Sequence, residues 1–404
     1  MTHHGTPVRQ SSVRAHNLAL VLRHVANSGS PISRAALASA TGLTRATVSA
    51  LVDDLVAGGL LTESEPPPPT GAGRPAVGLA LSPDGPVGLG LEINVDYLAA
   101  CIVDATGVVR YRLIEHADQR PAGAAGAVAG IDRLAGQARA LAEADGLSLA
   151  GAALAVPGLV AADGVVRRAP NLDWYDVDVP ALLRRTSALG DVQVTVDNEA
   201  NLAALGELHA DTGVPPSFVY ISGEIGIGAG IVLDGALYRG VRGWSGEIGH
   251  IAIHPDGPVC RCGARGCLER YAGQEAILRG APATGDADPW AALDQLTVRA
   301  AAGEAATLAA LTGAATALGT AIATVVNLLD VDTVVLGGSY APLLPWLRDG
   351  IAQEITRRVL AAQWTPVTLR AAVLGADAAM IGAAGAVVRA VHDDPAGWLA
   401  VRSA

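Results

Sequence analysis

The first sixty residues carry apolar positions at helical spacing, interrupted by glycine and proline. A stripe at positions i, i+3, i+4 and i+7 predicts the first helix: Leu18, Val21, Leu22 and Val25. Ser33 and Thr44 are suited to cap a second and a third helix, and Gly42 permits a tight turn between them. The third helix has its apolar side at Val48, Leu51, Val52 and Leu55. Three short helices with such a turn predict a helix-turn-helix.

The predicted second and third helices expose side chains that suit a DNA groove. The candidate contacts are Arg34, Thr44, Arg45, Thr47 and Ser49. Arginine can donate two hydrogen bonds to one guanine, whereas threonine and serine reach phosphates or base edges. The alternative is a small helical bundle that contacts another protein.

Residues 64–76 form a loop rich in proline and glycine between two strand-like apolar runs, which predicts a wing. Arg74 lies in this loop between Gly73 and Pro75, in an extended frame that suits a narrow A·T-rich minor groove. A simple turn between two domains has the same composition and is the alternative.

From Val87 onwards, strand-like apolar runs alternate with turns and helical segments. The strands predicted in a first pass are 87–93, 98–103, 108–113, 150–156 and 192–196, followed by a helix from about Glu199. A second pass has strands at 218–221, 228–233, 237 and 333–336. Two successive β-β-β-α-β-α passes predict two α/β lobes with a cleft between them.

The segment 305–329 has no charged residue and is long enough to span a bilayer. It is rich in Ala, Gly and Thr, and a polar stripe recurs at every fourth position: Thr312, Thr316, Thr320 and Thr324. Lipid offers these hydroxyl groups no partner outside the helix. We therefore predict a buried helix and no membrane partner.

Charge is divided unequally along the chain. All 28 basic residues are Arg, and the absence of Lys excludes a Walker A loop or a Schiff base. The first 75 residues hold six Arg and four acidic residues (+2), whereas residues 76–404 hold 22 and 35 (−13). This asymmetry predicts an anion-binding head on an acidic body. The N-terminus lacks the apolar run of a signal peptide, so we expect a cytoplasmic protein.

Three of the four cysteines lie within eight residues and predict a metal site. With His250, they form the pattern H-x9-C-x-C-x4-C through Cys260, Cys262 and Cys267. Three thiolates and one imidazole are a structural zinc set, and the C-x-C spacing is too tight for an ordinary disulfide. Free thiols are the alternative. Cys101 stands alone in a predicted strand and is expected in the core.

The stretch GEIGHIAIHPDGPVCRCGARGCLE, residues 246–269, closely resembles the signature of the ROK family (repressors, open reading frames and sugar kinases). Further matching segments occur in family order at 73–75, 156–158, 170–172, 197–201 and 335–338. The resemblance covers nearly the whole chain and is greatest to the xylose-repressor type. It implies an α/β fold: a winged helix-turn-helix followed by a two-lobed, actin-like ATPase (ribonuclease H-like) domain.

The resemblance implies the domain bounds. We expect a winged helix-turn-helix domain at 1–82, a first lobe at 83–205 and a second lobe with the zinc loop at 206–404. A helix at about 378–392 is expected to return to the first lobe.

The resemblance also implies a sugar site. The positions that match the family's sugar-binding residues are Asn198, Glu199, Glu247, His250 and Glu269, with Gly158 and Asn171 as further candidates. A carboxylate accepts hydrogen bonds from sugar hydroxyls at specific angles. His250 can bind zinc through one ring nitrogen and present the other to a sugar. The alternative is that these acids form a solvated rim.

ROK kinases resemble one another in an Asp-x-Gly-Gly-Thr phosphate loop, a Gly-Thr-Gly loop and an Asp general base, and this chain departs from all three. Residues 92–96 read Glu-Ile-Asn-Val-Asp, so both glycines and the hydroxyl are replaced. Glu224 replaces the hydroxyl of the second loop, and Glu199 stands at the position of the base. Each carboxylate would oppose a triphosphate by up to ~4 kcal/mol per unit charge. We therefore expect no ATP and no catalytic residue.

Together these features predict a sugar-responsive, DNA-binding transcriptional repressor that binds an unphosphorylated monosaccharide and has lost phosphotransfer. The sugar is expected to close the lobes and change the spacing of two heads in a homodimer or a higher homo-oligomer. The operator is expected to be an inverted repeat, with A/T-rich flanks. The alternatives are a bifunctional sugar kinase that also binds DNA, and a scaffold whose cleft binds a protein.

Overall fold

The secondary structure is that of a computed structural model, which describes residues 10–64, 77–210, 213–281 and 289–402. The helices are α1 (Gln10–Ala26), α2 (Arg34–Thr41), α3 (Arg45–Ala57), α4 (Gly123–Ala144), α5 (Val179–Leu183), α6 (Glu199–His209), α7 (Glu269–Ala272), α8 (Gln274–Gly280), α9 (Pro289–Ala301), α10 (Ala305–Leu329), α11 (Tyr340–Arg358), α12 (Ala378–Asp393) and α13 (Pro395–Arg402). The strands are β1 (Ile32–Ser33), β2 (Leu61–Ser64), β3 (Gly78–Leu81), β4 (Pro86–Ile93), β5 (Tyr97–Val103), β6 (Val109–His116), β7 (Ser148–Val156), β8 (Leu159–Val160), β9 (Val165–Ala169), β10 (Trp174–Asp178), β11 (Val194–Asn198), β12 (Phe218–Gly223), β13 (Ile227–Leu233), β14 (Ala236–Leu237), β15 (Thr333–Gly338) and β16 (Thr368–Ala371).

The N-terminal head is a winged helix-turn-helix, as predicted. Ser33 caps α2 by accepting a hydrogen bond from Ala36 N (3.2 Å), and Thr44 caps α3 by accepting from Thr47 N (3.2 Å). Gly42 between these helices has a φ of +72°, a left-handed conformation that glycine adopts without strain. The predicted apolar stripes are buried together against a sheet of order β1-β3-β2. The wing loop between β2 and β3 lies outside the described residues.

The body consists of two α/β lobes, each built on a five-stranded sheet. The strand order is β11-β7-β4-β5-β6 in the first lobe and β14-β13-β12-β15-β16 in the second. In each sheet the first three strands along the chain are antiparallel neighbours. The last two are added in parallel on the other side of the first strand. The lobes therefore share one topology, which confirms the predicted two-lobed α/β fold.

Several strands were missed by the sequence analysis. The strands β8, β9 and β10 form a separate small sheet, and β16 lies at the edge of the second lobe. Their sequences are short and include VVRRA, WYDVD and TLRA, in which charged residues break the apolar alternation. The small sheet matters for the site because Gly158 lies in the turn that leads into β8 and Asn171 lies in the turn between β9 and β10.

The C-terminal segment connects the body to the head. Helix α12 packs so closely on the first-lobe sheet that a Cβ at Gly90 would lie 1.9 Å from the Met380 carbonyl oxygen. Helix α13 follows and packs on α1 and α3. Leu399 contacts Gly58 at the end of α3, and Trp398 Nε1 donates to the Gly58 carbonyl oxygen (3.2 Å). The end of α3, the helix that carries most of the predicted DNA contacts and is called the recognition helix below, is therefore held by α13.

Among the described residues, α10 is long and apolar enough to span a membrane, and 56% of its most apolar 18-residue window is buried. Its apolar side packs on α11 in the core of the second lobe. The threonine stripe faces the other way, and each hydroxyl donates to the carbonyl oxygen four residues earlier (2.8 to 3.0 Å). The prediction of a buried helix is therefore correct for one side of α10.

We expect Leu399→Ala to loosen the head, because it removes the side chain that packs on Gly58. The free energy of unfolding should fall by about 1 to 2 kcal/mol, less than for a fully buried leucine, because Leu399 is only partly buried. Chemical denaturation followed by circular dichroism measures this. Val401→Ala is the matched control, since Val401 lies on the same helix and is 76% exposed. Equal effects of the two substitutions would contradict the proposed attachment.

Candidate functional site

A cavity of about 320 Å³ lies between the two lobes. Its lining includes every predicted sugar-binding residue: Gly158, Asn171, Asn198, Glu199, Glu247, His250 and Glu269. Residues 92–96 and 224–226, which stand at the positions of the kinases' phosphate loops and are called the nucleotide loops below, contribute Asn94, Val95, Glu224 and Gly226 to the same cavity. The volume is at the lower limit for pockets that enclose a small molecule.

Asn198 and Glu199 are held at the junction of β11 and α6. Asn198 caps α6, because its Oδ1 accepts hydrogen bonds from Ala200 N (2.9 Å) and Asn201 N (3.2 Å). Its Nδ2 donates to the Gly158 carbonyl oxygen (3.0 Å) and to Glu199 Oε2 (3.1 Å). Gly158 contributes its backbone, and its φ of +98° is one that glycine adopts without strain. Asn198 therefore orients Glu199, and its side-chain amide is hydrogen-bonded to other groups of the protein.

Asn171 and Glu269 join the two lobes across the cavity. Asn171 Nδ2 donates to Glu269 Oε2 (3.3 Å). A Cβ at Gly226 would lie 2.7 Å from Asn171 Nδ2 and 2.9 Å from Glu269 Oε2, so this approach requires glycine. The resulting contact places an amide from the first lobe beside a carboxylate from the second.

The four predicted metal ligands come together beside the cavity. The ligand atoms of His250, Cys260, Cys262 and Cys267 all lie within 4.8 Å of one another. The Sγ atoms of Cys262 and Cys267 are 3.6 Å apart, and Cys260 Sγ is 3.9 Å from His250 Nδ1. Bonds of 2.3 Å in a tetrahedral site would place two sulfurs ~3.8 Å apart. The cluster therefore fits a metal ion.

His250 belongs to both the metal cluster and the cavity. Its Nδ1 faces Cys260, and its Nε2 lies 3.9 Å from Glu247 Oε2. One ring can therefore bind a metal on one side while the other side lines the cavity. The sequence analysis predicts that zinc binds one ring nitrogen of His250 and a sugar binds the other.

Two arginines tie the metal loop to the first lobe, and the sequence analysis missed this role. Arg168 Nη2 donates to the Cys262 carbonyl oxygen (2.7 Å). Arg261 donates to Asn171 Oδ1 and to Glu275 Oε1, each at 3.2 Å. Its position between two ligating cysteines was the available signal, but the partner Asn171 is distant in the chain.

The first nucleotide loop is filled by its own side chains. Asn94 Oδ1 accepts a hydrogen bond from Val95 N (2.7 Å), and Asn94 N donates to the Tyr97 carbonyl oxygen (3.0 Å). Asn94 Nδ2 and the Tyr97 hydroxyl both donate to Glu92 Oε1, at 3.2 and 2.5 Å. Glu92 is 2% exposed, and burial raises its pKa to about 7. The backbone N–H groups of Asn94 and Val95 are therefore both hydrogen-bonded within the loop.

The second nucleotide loop presents the Glu224 carboxylate. Glu224 N donates to the Gly226 carbonyl oxygen (2.8 Å), and Glu224 Oε1 would lie 2.6 Å from a Cβ at Gly338. Burial raises the pKa of Glu224 well above its usual range, and Glu92 and Asp96 raise it further. The carboxylate therefore fills space between the turn after β12 and the turn after β15.

The pKa values of two glutamates among the predicted sugar-binding residues are also raised. Burial raises the pKa of Glu199 to about 8, and the nearby Glu247 adds to this. Burial raises the pKa of Glu247 to about 7, with a contribution from Glu269. A neutral carboxyl group can donate one hydrogen bond as well as accept, which suits hydroxyl partners.

The predicted DNA contacts differ in their surroundings, and Ser49 is half-buried on α3. Arg45 is exposed at the start of α3, with no hydrogen-bond partner among the described residues. Thr44 and Thr47 bond to each other through their hydroxyls (2.8 Å) and form the helix cap. Arg34 is already engaged, since it donates to Asp53, Glu63 and the Ser49 carbonyl oxygen (2.6 to 3.2 Å). Arg74 lies outside the described residues.

Comparisons with known proteins cover both parts of the chain. Residues 88–390 match the sequence model of the ROK family, and residues 19–70 match that of the MarR family. A xylose repressor of Bacillus subtilis is 28% identical over 380 residues, which is 94% of this chain and 96% of that protein. A glucokinase of Streptomyces coelicolor is 32% identical over 233 residues, 54% of this chain and 73% of that protein.

Solved structures show the same division. The crystal structure of a ROK family transcriptional regulator, a homologue of the E. coli MLC protein, superposes with a TM-score of 0.76 at 26% identity. The superposition covers 96% of this chain and 98% of the regulator chain. A ROK family glucokinase from Streptomyces griseus in complex with glucose and AMPPNP gives a TM-score of 0.64 at 27% identity. This superposition covers 74% of this chain and 98% of the glucokinase chain.

We expect Glu199→Gln to stabilise the protein more at pH 8.5 than at pH 5.5. Because the folded-state pKa of Glu199 is raised to about 8, the native state binds more protons than the unfolded state above pH ~4.5, and ionisation destabilises the fold as pH rises. Glutamine removes this penalty. Thermal unfolding at the two pH values measures the difference in Tm.

The matched control is Glu143→Gln, because Glu143 is exposed on α4, away from the cavity. Its change in Tm should be small at both pH values. A change for Glu199→Gln that is the same at pH 5.5 and 8.5 would show that the folded state does not hold this carboxyl protonated.

Proposed function

The chain belongs to the ROK family, and we propose that it is a sugar-responsive DNA-binding repressor whose body binds an unphosphorylated sugar and has lost phosphotransfer. The observation that carries this proposal is the contrast within one cavity. The predicted sugar residues line it with their carboxyl and imidazole groups, while Asn94 and Glu224 fill the nucleotide loops. The similarity to regulators over nearly the whole chain, head included, supports the same function.

A sugar kinase that also binds DNA is the second candidate, because the glucokinases are similar to part of the chain and Glu199 retains a carboxylate at the base position. Against it, the backbone N–H groups of Asn94 and Val95 are already bound, and the Glu224 side chain fills space at the second nucleotide loop. A glutamate also reaches farther than the kinases' aspartate, and an error of about an ångström costs ~100-fold in rate. We therefore assign Glu199 to recognition.

In this proposal, the sugar hydroxyls are bound by groups from both lobes. Glu199 and Asn171 act from the first lobe, and Glu247, His250 and Glu269 act from the second. A sugar held by both sides favours the closed arrangement of the lobes, since it bonds fully only there. Asn198 and Gly158 support the site by orienting Glu199.

The fold offers a route from the sugar to the head. Helix α6, which begins at Glu199, packs on α12 so closely that a Cβ at Gly382 would lie 1.8 Å from the Leu202 carbonyl oxygen. Helix α12 leads into α13, whose Trp398 donates to Gly58 at the end of α3. A shift of α6 on sugar binding would therefore reach the recognition helix through packed elements.

On the DNA side, we propose that Arg45 enters the major groove and that a homodimer reads an inverted repeat in the cytoplasm. Arg74 would reach a minor groove in A/T-rich flanks. We keep the domain bounds at 1–82, 83–205 and 206–404 for this assignment, with α12 packed on the first lobe and α13 packed on the head. Thr44, Thr47 and Ser49 remain candidates for phosphate contacts, whereas the ion pairs of Arg34 favour a structural role.

We propose that the His250, Cys260, Cys262 and Cys267 cluster binds one structural zinc ion. Its role is to fix the loop that carries Arg261, and through Arg261 the position of Asn171. All four ligands come from the protein, so no position is open for chemistry. The ion would also fix the orientation of the His250 ring.

A gel-shift titration of the full chain against its own upstream DNA tests the function. Operator binding should be specific, and one sugar of a panel of mono- and disaccharides should change its affinity at least ~10-fold. Arg45→Ala should weaken binding by about 1 to 3 kcal/mol, whereas Arg133→Ala, in the body, should not. An operator affinity indifferent to every sugar would reject the switch. ADP release with sugar and MgATP in a coupled assay would favour the kinase instead.

Removing a metal ligand should weaken sugar binding. Cys262→Ser is expected to lower the zinc content below about one ion per chain. It should also lower the affinity for the sugar that changes operator binding, by ~10-fold or more. Inductively coupled plasma mass spectrometry measures the zinc content, and isothermal titration calorimetry measures the sugar affinity. Cys101→Ala is the control, because Cys101 lies buried in β5 and outside the metal cluster. Unchanged sugar affinity in metal-free Cys262→Ser protein would separate the metal from the site.

A further inference from the structure

An ion pair between Arg239 and Asp197 joins the two lobes. Arg239 lies in the second lobe, in the loop that follows β14 and leads to Glu247. Its Nη2 lies 2.6 Å from Asp197 Oδ2, at the end of β11 in the first lobe. The Asp197 side chain is 14% exposed and the Arg239 side chain is 49% exposed. The interlobe contacts described above lie at the metal loop and α7, whereas this pair involves the opposite end of the same second-lobe segment.

Asp197 directly precedes Asn198 and Glu199, the residues that begin the sugar site in the first lobe. Its Oδ1 accepts hydrogen bonds from Asn198 N (2.8 Å) and from Asn201 Nδ2 (3.2 Å). Asn201 is 1% exposed in the first turn of α6. One oxygen of Asp197 therefore holds the start of α6, and the other oxygen is paired with Arg239.

The loop that carries Arg239 is closed at its base and leads directly to the sugar site of the second lobe. Ser245 N donates to the Arg239 carbonyl oxygen (3.3 Å), and Ser245 Oγ donates to the Tyr238 carbonyl oxygen (2.5 Å). Gly246 comes next with a φ of +97°, and a Cβ there would lie 1.9 Å from a carbonyl oxygen of β13. Glu247 follows this pinned glycine. The position of Arg239 is therefore tied to that of Glu247.

The ion pair lies outside the sugar cavity. Neither Arg239 nor Asp197 is among the described residues that line it. Both line a second cavity, of about 810 Å³, to which Trp398 of α13 also contributes. Any effect of the pair on a sugar must therefore act through the residues that follow its two members, Glu199 and Glu247.

We propose that Arg239 is a positioning residue for the sugar site: its ion pair with Asp197 fixes Glu199 of the first lobe relative to Glu247 of the second. This inference rests on the proposed function. Hydrogen bonds weaken steeply away from their preferred distances and angles, so a sugar held from both lobes depends on how the two carboxyl groups are placed. An ion pair with a half-exposed arginine adds little to stability. Its loss should therefore lower the affinity for sugar without unfolding the chain.

Isothermal titration calorimetry of the full chain with D-xylose, D-glucose and N-acetyl-D-glucosamine tests this. Arg239→Ala and Asp197→Asn should each lower the affinity for the sugar that binds about tenfold, and the double variant should lose no more than either single variant. Asparagine keeps the oxygen that accepts from Asn198 N and removes the charge. Arg239→Lys keeps a positive charge that can reach Asp197, so its affinity should stay within about threefold of the wild type. Thermal unfolding should show a change in Tm below ~4 °C for each variant.

Arg242→Ala is the matched control, because Arg242 is exposed in the same loop, lies over the Trp244 ring (5.8 Å from its centre) and has no ion pair among the described residues. It should bind sugar as the wild type does. Unchanged affinity in Arg239→Ala and Asp197→Asn overturns the inference, and so do additive losses in the double variant or a loss that Arg239→Lys does not restore. A wild-type chain that binds none of the three sugars contradicts the proposed function itself, and this inference is then rejected with it.

Discussion

The proposed function depends on the hydrogen bonds of the Asn94 side chain, which close the first nucleotide loop in the cleft between the lobes. Its carbonyl oxygen binds the N–H of Val95, and its amide binds the buried carboxylate of Glu92. A glycine at this position would leave the backbone open to a phosphate, whereas asparagine closes it with groups of its own. With the turn closed in this way, Glu224 can carry a carboxylate nearby without opposing a bound nucleotide.

The predicted sugar-binding residues do not depend on the turn at Asn94, because other elements position them. Glu199 is set by the cap of α6, and His250 and Glu269 are set by the metal loop and the start of α7. The metal loop in turn reaches Asn171 in the first lobe through Arg261. One function of the cleft can therefore be lost while the other persists, because the two depend on different turns of the chain.

Much of this arrangement could be predicted from the sequence, because it is encoded locally. Helix caps at Ser33 and Thr44, the apolar stripes of the head and the spacing of the metal ligands are all short-range patterns. The seven sugar positions came from resemblance to a family, and the structure places them in one cavity. The strands β8, β9, β10 and β16 were missed, since they are short and mix charged with apolar residues.

What the sequence could not provide are contacts between segments that are far apart in the chain. Arg34 has the composition of a DNA contact, yet Asp53 and Glu63 take up its guanidinium. Arg261 resembles a counter-charge for thiolates, yet it binds Asn171. The hydrogen bond from Trp398 to Gly58 joins residues that are 340 positions apart, and no periodic pattern in the sequence predicts it.

The central claim is that this cleft accepts a carbohydrate and excludes a nucleotide. Equilibrium titration of the full chain with Mg-AMPPNP, in the absence and presence of a saturating sugar, tests it most directly. The account predicts no binding heat up to millimolar nucleotide, with the sugar or without it. Saturable nucleotide binding that the sugar strengthens would contradict the account, because it would require the backbone of residues 94–96 to be open to phosphate.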